Sequence, residues 1–350
     1  MKKTIMILSV LILLMALTSL IGNKSLRSAR SESSLSQSLN NLENKAERDR
    51  SRRIAILTPV AHPSLELIEK GFKETFNAAL PGIYSFKTYN SQGSHTLMRS
   101  EIEEISKQDY ALLFTIGAQA TQMAKEVLKK KGKELPIVFS AVSNPVELHI
   151  IASEESSQNN MTGVKEMTDF EAELAMLQSL EKEIRNVMLV YDPTKFGLEG
   201  DKRTIAALLA RSNITLTAVE VFRTNEIMQK VTPHINKADV VMILKDNTVV
   251  PALDVLIKIC AQNQVVLLAS DLDSFDKGAA LAYGVGECIY GTEGAEKALL
   301  VLRDELSPSA IPITPPPAQA FTAHFNEKVL KQLGVGIKVA PLTKIEGERR

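Results

Sequence analysis

Residues 111–145 read ALLFTIGAQATQMAKEVLKKKGKELPIVFSAVSNP, and this stretch decides the fold class. The apolar run Ala111–Ile116 ends in a loop of small residues, a helical pattern follows, and the second apolar run Ile137–Val142 ends at Ser143-Asn144-Pro145. Apolar runs without alternation are typical of parallel strands that are buried on both faces of a sheet. The stretch therefore predicts a strand–helix–strand unit of an open α/β sheet.

The same pattern recurs along the chain. Further strands are predicted at 54–58, 84–89, 161–164, 187–191, 215–221, 240–244, 265–269 and 280–284. The helical patterns between them indicate an α/β protein with two doubly wound, Rossmann-like lobes and a ligand cleft between the lobes. We expect residues 53–143 plus 282–310 to form lobe 1 and residues 144–281 plus 311–340 to form lobe 2.

The return crossings between these lobes are also predicted. We expect the strand at 280–284 to return to lobe 1, where a helix at 291–306 follows it. The proline-rich stretch 308–317 suits a final crossing to lobe 2, because proline is unfavourable in a helix interior or a central strand. A helix at 321–333 is the last predicted element of the chain.

The N-terminal segment determines the expected compartment. Lys2 and Lys3 precede an uncharged apolar run from Ile5 to Ile21, so residues 1–22 are interpreted as a signal peptide or an uncleaved membrane anchor. Both alternatives place the body outside the cytoplasm, in the periplasm or at the cell surface. Residues 23–52 contain few large apolar side chains and are predicted to form a flexible tether.

Composition excludes several classes of protein. Lys plus Arg and Asp plus Glu both number 41, so the chain lacks the basic excess that nucleic-acid binding requires. The two cysteines, Cys260 and Cys288, are too few for a structural zinc site, and we expect no metal. Because the predicted lobes separate them, both should be free thiols.

A search for catalytic motifs is negative. The chain contains no GxxxxGK[ST], HExxH or GxSxG pattern, and Gly284-Val285-Gly286 lacks the third glycine of a dinucleotide fingerprint. We therefore expect no catalytic residues, no cofactor and no enzymatic activity.

Six loop segments, in order along the chain, carry a resemblance to a known family. They are 60–63 (VAHP), 90–93 (NSQG), 136–145 (PIVFSAVSNP), 160–164 (NMTGV), 246–249 (DNTV) and 270–274 (SDLDS). On these segments the body resembles the ABC-transporter substrate-binding proteins of the tryptophan- and tyrosine-binding type. The resemblance implies a type I periplasmic-binding fold and capture of a small ligand for an ABC permease. The chain departs from the family in having no lipidation cysteine after the leader, and in its loops at 90–94 and 117–119.

An amino-acid ligand requires donors for its carboxylate and acceptors for its ammonium. Backbone N–H groups at a helix N-terminus can bind the carboxylate. The predicted donors are Gly117, Ala118, Gln119, Ser140 and Ser143, and Asn144 is a further candidate ligand contact. The predicted ammonium acceptors are Asp246 and Asp271, with Asn247 beside them, although each aspartate could instead cap the helix that follows it. If Asp271 binds the ammonium, Asp271→Asn should weaken binding.

Three more residues are candidate ligand contacts, each with an alternative role. His62 lies in the first loop and could be purely structural. Phe196 could line an apolar side-chain pocket or be an exposed turn residue. Tyr283 could line the cleft or belong to the hinge.

The sequence therefore predicts a monomeric solute-binding protein of an ABC importer, which closes two lobes around a small ligand such as an aromatic amino acid. Its partners would be that ligand and a membrane permease. The alternatives are a membrane-tethered extracellular ligand sensor and, more remotely, an α/β enzyme.

Overall fold

The computed structural model describes residues 52–195 and 197–338; the leader and all but the last residue of the tether expected at 1–52 lie outside them. The strands are β1 (Arg53–Thr58), β2 (Ser85–Asn90), β3 (Leu112–Ile116), β4 (Ile137–Val142), β5 (Met161–Lys165), β6 (Asn186–Tyr191), β7 (Thr215–Glu220), β8 (Val240–Ile243), β9 (Val266–Ala269), β10 (Leu281–Gly284) and β11 (Thr322–Phe325). The helices are α1 (Pro63–Ala79), α2 (His95–Ser106), α3 (Ala118–Lys131), α4 (Phe170–Gln178), α5 (Leu198–Arg211), α6 (Ile227–Val231), α7 (Leu253–Asn263), α8 (Asp273–Asp276), α9 (Glu287–Leu302) and α10 (Glu327–Gln332). In this described part, no helix combines the length and the apolar content that a bilayer crossing needs.

The first lobe is built on a sheet with the strand order β2-β1-β3-β4-β5, in which β1, β3, β4 and β5 run parallel. Nearly every residue of β1, β3 and β4 is buried, which explains their continuous apolar sequences. Helices α1 and α9 cover one face, where Phe72 stacks on Phe114 with ring centroids 3.9 Å apart. Helices α2 and α3 cover the other face, so this lobe is doubly wound as predicted.

The second lobe is built on a sheet with the order β11-β10-β9-β8-β6-β7. Its neighbouring strands are parallel except for β10 and β11, which are antiparallel. Helices α4, α5 and α10 pack on one face, and α6 and α7 pack on the other. The two α/β lobes predicted from the sequence are therefore present.

Two strands lie in the opposite lobe from the one expected. β5 was assigned to lobe 2 but pairs with β4, and β10 was assigned to lobe 1 but pairs with β9. Gly163 permits the first pairing, because a Cβ there would lie only 2.5 Å from the ring carbon Cγ of Phe139 on β4. The expected lobe boundaries at 143/144 and 281/282 are thus each one strand too early.

The helix predicted at 321–333 is also corrected. Residues Thr322–Phe325 form strand β11 on β10, and the helix spans only Glu327–Gln332. Asn326 starts this helix by accepting a hydrogen bond from the Val329 N–H at 3.1 Å. The strand that pairs with β11 is remote in sequence, so the local sequence pattern does not predict this strand.

Within the described residues the chain passes between the lobes three times, after β5, after β10 and between α9 and β11. The third passage contains the proline-rich stretch, as predicted, and it is attached to the first by a 3.0 Å hydrogen bond from the Lys165 N–H to the Thr314 carbonyl. Tyr283 at the second passage stacks on Phe321 at the third, with centroids 6.0 Å apart. Side-chain and backbone contacts therefore join the three passages into one connection between the lobes.

Both cysteines are free, as predicted. Cys260 is buried in α7 of the second lobe, and Cys288 lies in the first turn of α9, which packs on the first lobe.

Candidate functional site

Loops at the carboxyl ends of the two sheets meet between the lobes. Ser64, at the start of α1, donates from Oγ to Oδ2 of Asp273, the first residue of α8, at 2.9 Å. Lys245, two residues beyond β8, has its Nζ 3.2 Å from Oε1 of Glu166, the residue after β5. Open α/β sheets bind ligands at this edge. We refer to the region between the loops that follow β1, β3, β4 and β5 and those that follow β6, β8, β9 and β10 as the interlobe cleft.

Lys245, Glu166 and Glu287 form an ion-pair cluster across this cleft. Lys245 Nζ lies 2.8 Å from Oε1 of Glu287, the first residue of α9, as well as 3.2 Å from Glu166. Burial opposes the charge on Lys245, but the two carboxylates outweigh burial and hold its pKa well above the usual range. Burial, reinforced by the negative charge of Glu166, raises the pKa of Glu287. The cluster joins the two lobes through charged side chains.

None of these three residues was among the sequence-based candidates. Lys245 directly precedes Asp246, Glu166 directly follows a predicted strand, and Glu287 follows the Gly-punctuated strand β10. Asp246 was selected because it is a polar residue that follows the carboxyl end of a predicted strand. The same criterion applies to all three residues of the cluster. What the sequence lacked was the lobe assignment of β5, which places Glu166 on the first lobe, across the cleft from Lys245.

The predicted residues of the first two loops lie at this edge. His62 is exposed and begins α1, where its Nδ1 accepts a hydrogen bond from the Ser64 N–H at 3.2 Å. Gly117 begins α3 with φ of 83°, and no side chain caps that helix. Ala118 is half-buried, and Gln119 is exposed and contacts His95. The N–H groups of the first turn of α3 therefore have no side-chain cap at this edge.

The predicted residues after β4 have different surroundings. Ser140 is fully buried, and its hydroxyl donates to the Tyr290 carbonyl at 2.8 Å, so it holds α9 on the sheet instead of facing a ligand. Ser143 is half-buried and donates to Glu166 Oε2 at 2.8 Å. Asn144 is exposed in the left-handed region, and its Nδ2 approaches Gly197 of the second lobe. Ser143 and Asn144 therefore belong to the interlobe cleft, and the expectation for Ser140 is corrected.

Asp246 is held by the backbone of two loops. Its Oδ1 accepts from the Thr248 N–H and its Oδ2 accepts from the Asp192 N–H, both at 2.7 Å. It is only 1 % exposed, and burial raises its pKa. Its neighbour Asn247 is exposed. Both hydrogen bonds of the Asp246 carboxylate are of the capping kind. They order the loops that follow β6 and β8.

Asp271 also acts as a cap. Oδ1 accepts from the Ser274 N–H and Oδ2 from the Ser274 hydroxyl, both at 2.8 Å. Each carboxylate oxygen can accept a second hydrogen bond, so this arrangement leaves capacity for another donor. Tyr283 is half-buried and stacks on Phe321, where the second and third passages between the lobes meet. Phe196 lies outside the described residues.

We expect Asp271→Ala to lower the free energy of unfolding by about 1 kcal/mol, because it removes the acceptor for both donors of Ser274. Urea denaturation measures the loss, with Asp254→Ala in the first turn of α7 as an exposed acidic control. Unchanged stability would mean that the cap is dispensable. Ligand affinity measured on the same protein tests the ammonium-binding role predicted for Asp271.

The cleft has a negative electrostatic bias. Asp201, in the first turn of α5, faces Glu166 and Glu147 of the first lobe, and burial together with these charges raises its pKa to about 6. Asp273 likewise acts on Glu287 across the cleft. Lys245 is the counter-charge to these groups.

The amino-acid sequence is similar to those of two bacterial proteins. The chain is 22 % identical over 302 residues to the tyrosine-binding protein of Clostridioides difficile, covering 84 % of each chain. It is 25 % identical over 284 residues to an uncharacterized protein of Rickettsia prowazekii, covering 80 % of this chain and 85 % of that one.

Solved structures share the fold. The ABC domain from Streptococcus pneumoniae in complex with L-Trp superposes with a TM-score of 0.72 at 19 % identity, covering 82 % of this chain and 96 % of that one. A ligand-free, open substrate-binding protein with adhesive properties from Clostridium difficile gives a TM-score of 0.70 at 21 % identity, covering 83 % and 96 %. These likenesses confirm the two-lobed type I periplasmic-binding fold.

The family model of ABC transporter substrate binding proteins matches residues 53–344, which includes both sheets and the loops of the interlobe cleft. With the fold and most of the chain matched, this protein belongs to the ABC transporter substrate-binding protein family.

Proposed function

We propose that this protein is the extracytoplasmic solute-binding component of an ABC importer, that it captures an aromatic amino acid between its lobes, and that it delivers the amino acid to a membrane permease. The observation that carries the proposal is the family match over residues 53–344 combined with two sheet edges that face each other across a hinge. The aromatic ligand class is supported by the relative named as tyrosine-binding and by the neighbour solved with L-Trp.

The mechanism follows from the three passages of the chain between the lobes. A ligand that contacts both lobes only when they are closed binds the closed state more tightly than the open one, and it shifts the population accordingly. The ligand's carboxylate would bind the uncapped N-terminus of α3, where N–H groups and the helix dipole favour an anion. Its ammonium would bind an acidic group at the same edge. The sequence-based candidate for that group is Asp271.

Binding rather than catalysis is the expected activity. The family is one of substrate-binding proteins, and a binder returns its ligand chemically unchanged. Export by the leader and tethering by the following segment belong to the same proposal.

We expect L-tyrosine, L-tryptophan or L-phenylalanine to raise the melting temperature of the protein by on the order of 5–10 °C at a concentration near 100 Kd. The physical reason is linkage: a ligand at that concentration adds roughly 2.7 kcal/mol to the stability of the folded state, and about 2–4 °C follow from each kcal/mol. Thermal-shift measurement followed by calorimetric titration tests this.

The control for this experiment is the matching D-amino acid, which carries the same charges and ring but the opposite geometry at Cα. Recovery of unmodified ligand after incubation tests for turnover. If no aromatic or other amino acid changes the melting temperature, the proposed function is wrong.

A further inference from the structure

We propose that Glu166 and Glu287 form the ammonium subsite of the ligand, and that in the ligand-free protein the side chain of Lys245 occupies this subsite as an internal competitor. The inference rests on the proposed function and specifies the chemistry of its site. It assigns the ammonium to a pair of carboxylates that the sequence analysis did not select, in place of Asp271.

An ammonium already sits between these carboxylates. Lys245 Nζ is 3.2 Å from Glu166 and 2.8 Å from Glu287, and it lies 5.0 Å from the centroid of the Tyr290 ring. Two carboxylates and one aromatic face form the kind of environment that binds an alkylammonium group. The primary ammonium of an amino acid has the same charge and the same three donors as a lysine side chain.

Part of this environment is buried and polar. Tyr290 is 0 % exposed, and its hydroxyl lies beside the Met167 backbone without a hydrogen-bond partner of normal geometry. The Ser143 hydroxyl orients Glu166 by donating to its second oxygen at 2.8 Å. Glu166 is therefore held in place by a first-lobe group, whereas the ammonium comes from the second lobe on a flexible side chain.

The charges favour a cation as the entering group. Lys245 neutralises only one of its two carboxylate partners, and Asp201 and Asp273 add negative potential from the second lobe. A ligand ammonium is attracted to this site, while a carboxylate is repelled from it. The ligand carboxylate is therefore better placed at the N-terminus of α3, where uncapped N–H groups favour an anion.

The aspartates are less suited to this role. Asp246 is 1 % exposed with both oxygens occupied by backbone donors, and Asp271 is 8 % exposed with both oxygens directed at Ser274. The side chains of Lys245, Glu166 and Glu287 are 21 %, 22 % and 14 % exposed, so all three are half-buried.

The test uses full-length protein with Lys245→Met, Lys245→Gln, Glu166→Gln and Asp271→Asn, at mildly alkaline pH so that both carboxylates of the cluster are ionised. The probes are L-tyrosine, L-tryptophan and their decarboxylated analogues tyramine and tryptamine, which keep the ammonium and lose the carboxylate. Lys70→Met, which removes one exposed ion-pair lysine on α1, is the matched control.

We expect both Lys245 variants to bind the amino acids and the amines at least about tenfold more tightly than the wild type, because every molecule then has a free subsite. Glu166→Gln should weaken binding of the same probes at least about tenfold. The control should leave affinity unchanged. Two replacements of Lys245 are used so that the test still works if one variant misfolds. A melting curve of each variant checks that it is folded.

Other outcomes overturn the inference. If the Lys245 variants bind the amino acids more weakly while the amines are unaffected, Lys245 binds the ligand carboxylate. Unchanged affinity in all variants would make the cluster a purely structural hinge contact, and a loss confined to Asp271→Asn would return the ammonium to Asp271. If the wild type binds no amino acid at all, the proposed function fails independently of these variants.

Discussion

Raising the pH from about 4.5 to about 8 is expected to reduce the free energy of unfolding through one buried residue, Glu173 on α4. Its side chain is 0 % exposed, and neither carboxyl oxygen has a hydrogen-bond partner of normal geometry. Burial, together with the negative charges of Asp169, Asp201 and Asp271, raises its pKa to about 8, although the nearby Ser270 hydroxyl acts in the opposite direction. Glu173 is therefore a neutral acid in the folded protein at neutral pH.

The direction of this change in stability with pH follows from the number of protons bound in each state. Between the unfolded pKa, near 4.5, and the folded pKa, near 8, the folded state keeps a proton that the unfolded state has released. Stability from this group is complete below the unfolded pKa and is lost as pH rises through the folded pKa. The loss amounts to roughly 4–5 kcal/mol across this interval.

Glu173→Gln should remove this part of the pH dependence, because an amide does not titrate. Urea denaturation of the wild type and the variant at a series of pH values measures the difference, and the variant should be the more stable of the two at the alkaline end. Glu171→Gln on the same helix is the matched control, since Glu171 is exposed. Parallel pH profiles for wild type and Glu173→Gln would show that Glu173 is ionised in the folded protein, contrary to this expectation.

Gly291→Ala is expected to destabilise the first lobe by about 3 kcal/mol or more. Gly291 lies where α9 crosses α1, and a Cβ at this position would overlap the Ile68 carbonyl oxygen and lie 2.6 Å from the Phe72 nitrogen. Both atoms are backbone of α1, so relief requires the helices to separate. Separation would disturb the packing of Phe72 on Phe114 and displace Glu287 at the start of α9.

Gly200→Ala provides the control. Gly200 is also helical, in α5, but a Cβ there has no neighbour within 4 Å among the described residues. The alanine should raise stability by roughly 0.5–1 kcal/mol through helix propensity. Opposite signs for the two substitutions, measured by urea denaturation, test the contact. A stabilised Gly291→Ala would mean that α1 and α9 are not in backbone contact.

Local patterns in the sequence determined the fold class. Continuous apolar runs such as 111–116 and 137–142 became the central strands, because a strand covered by helices on both faces needs apolar side chains at every position. The same runs located the candidate loops, since the loop after a parallel strand must lie at its carboxyl end. The proline-rich stretch identified the third passage between the lobes through the rigidity of proline.

Tertiary structure alone decided which sheets β5 and β10 join. β5 and β10 have ordinary apolar sequences that suit either lobe, and their partners β4 and β9 are chosen by fit, as Gly163 against Phe139 illustrates. The pairing of β5 with β4 brings Glu166 to Lys245, although these two residues are far apart in the chain. Tertiary structure also decides that Ser140 is buried against Tyr290 while Ser143, three residues later, faces the cleft. The burial of a side chain and the pairing of a strand depend on atoms that are remote in sequence. A pattern of neighbouring residues therefore cannot predict either of them.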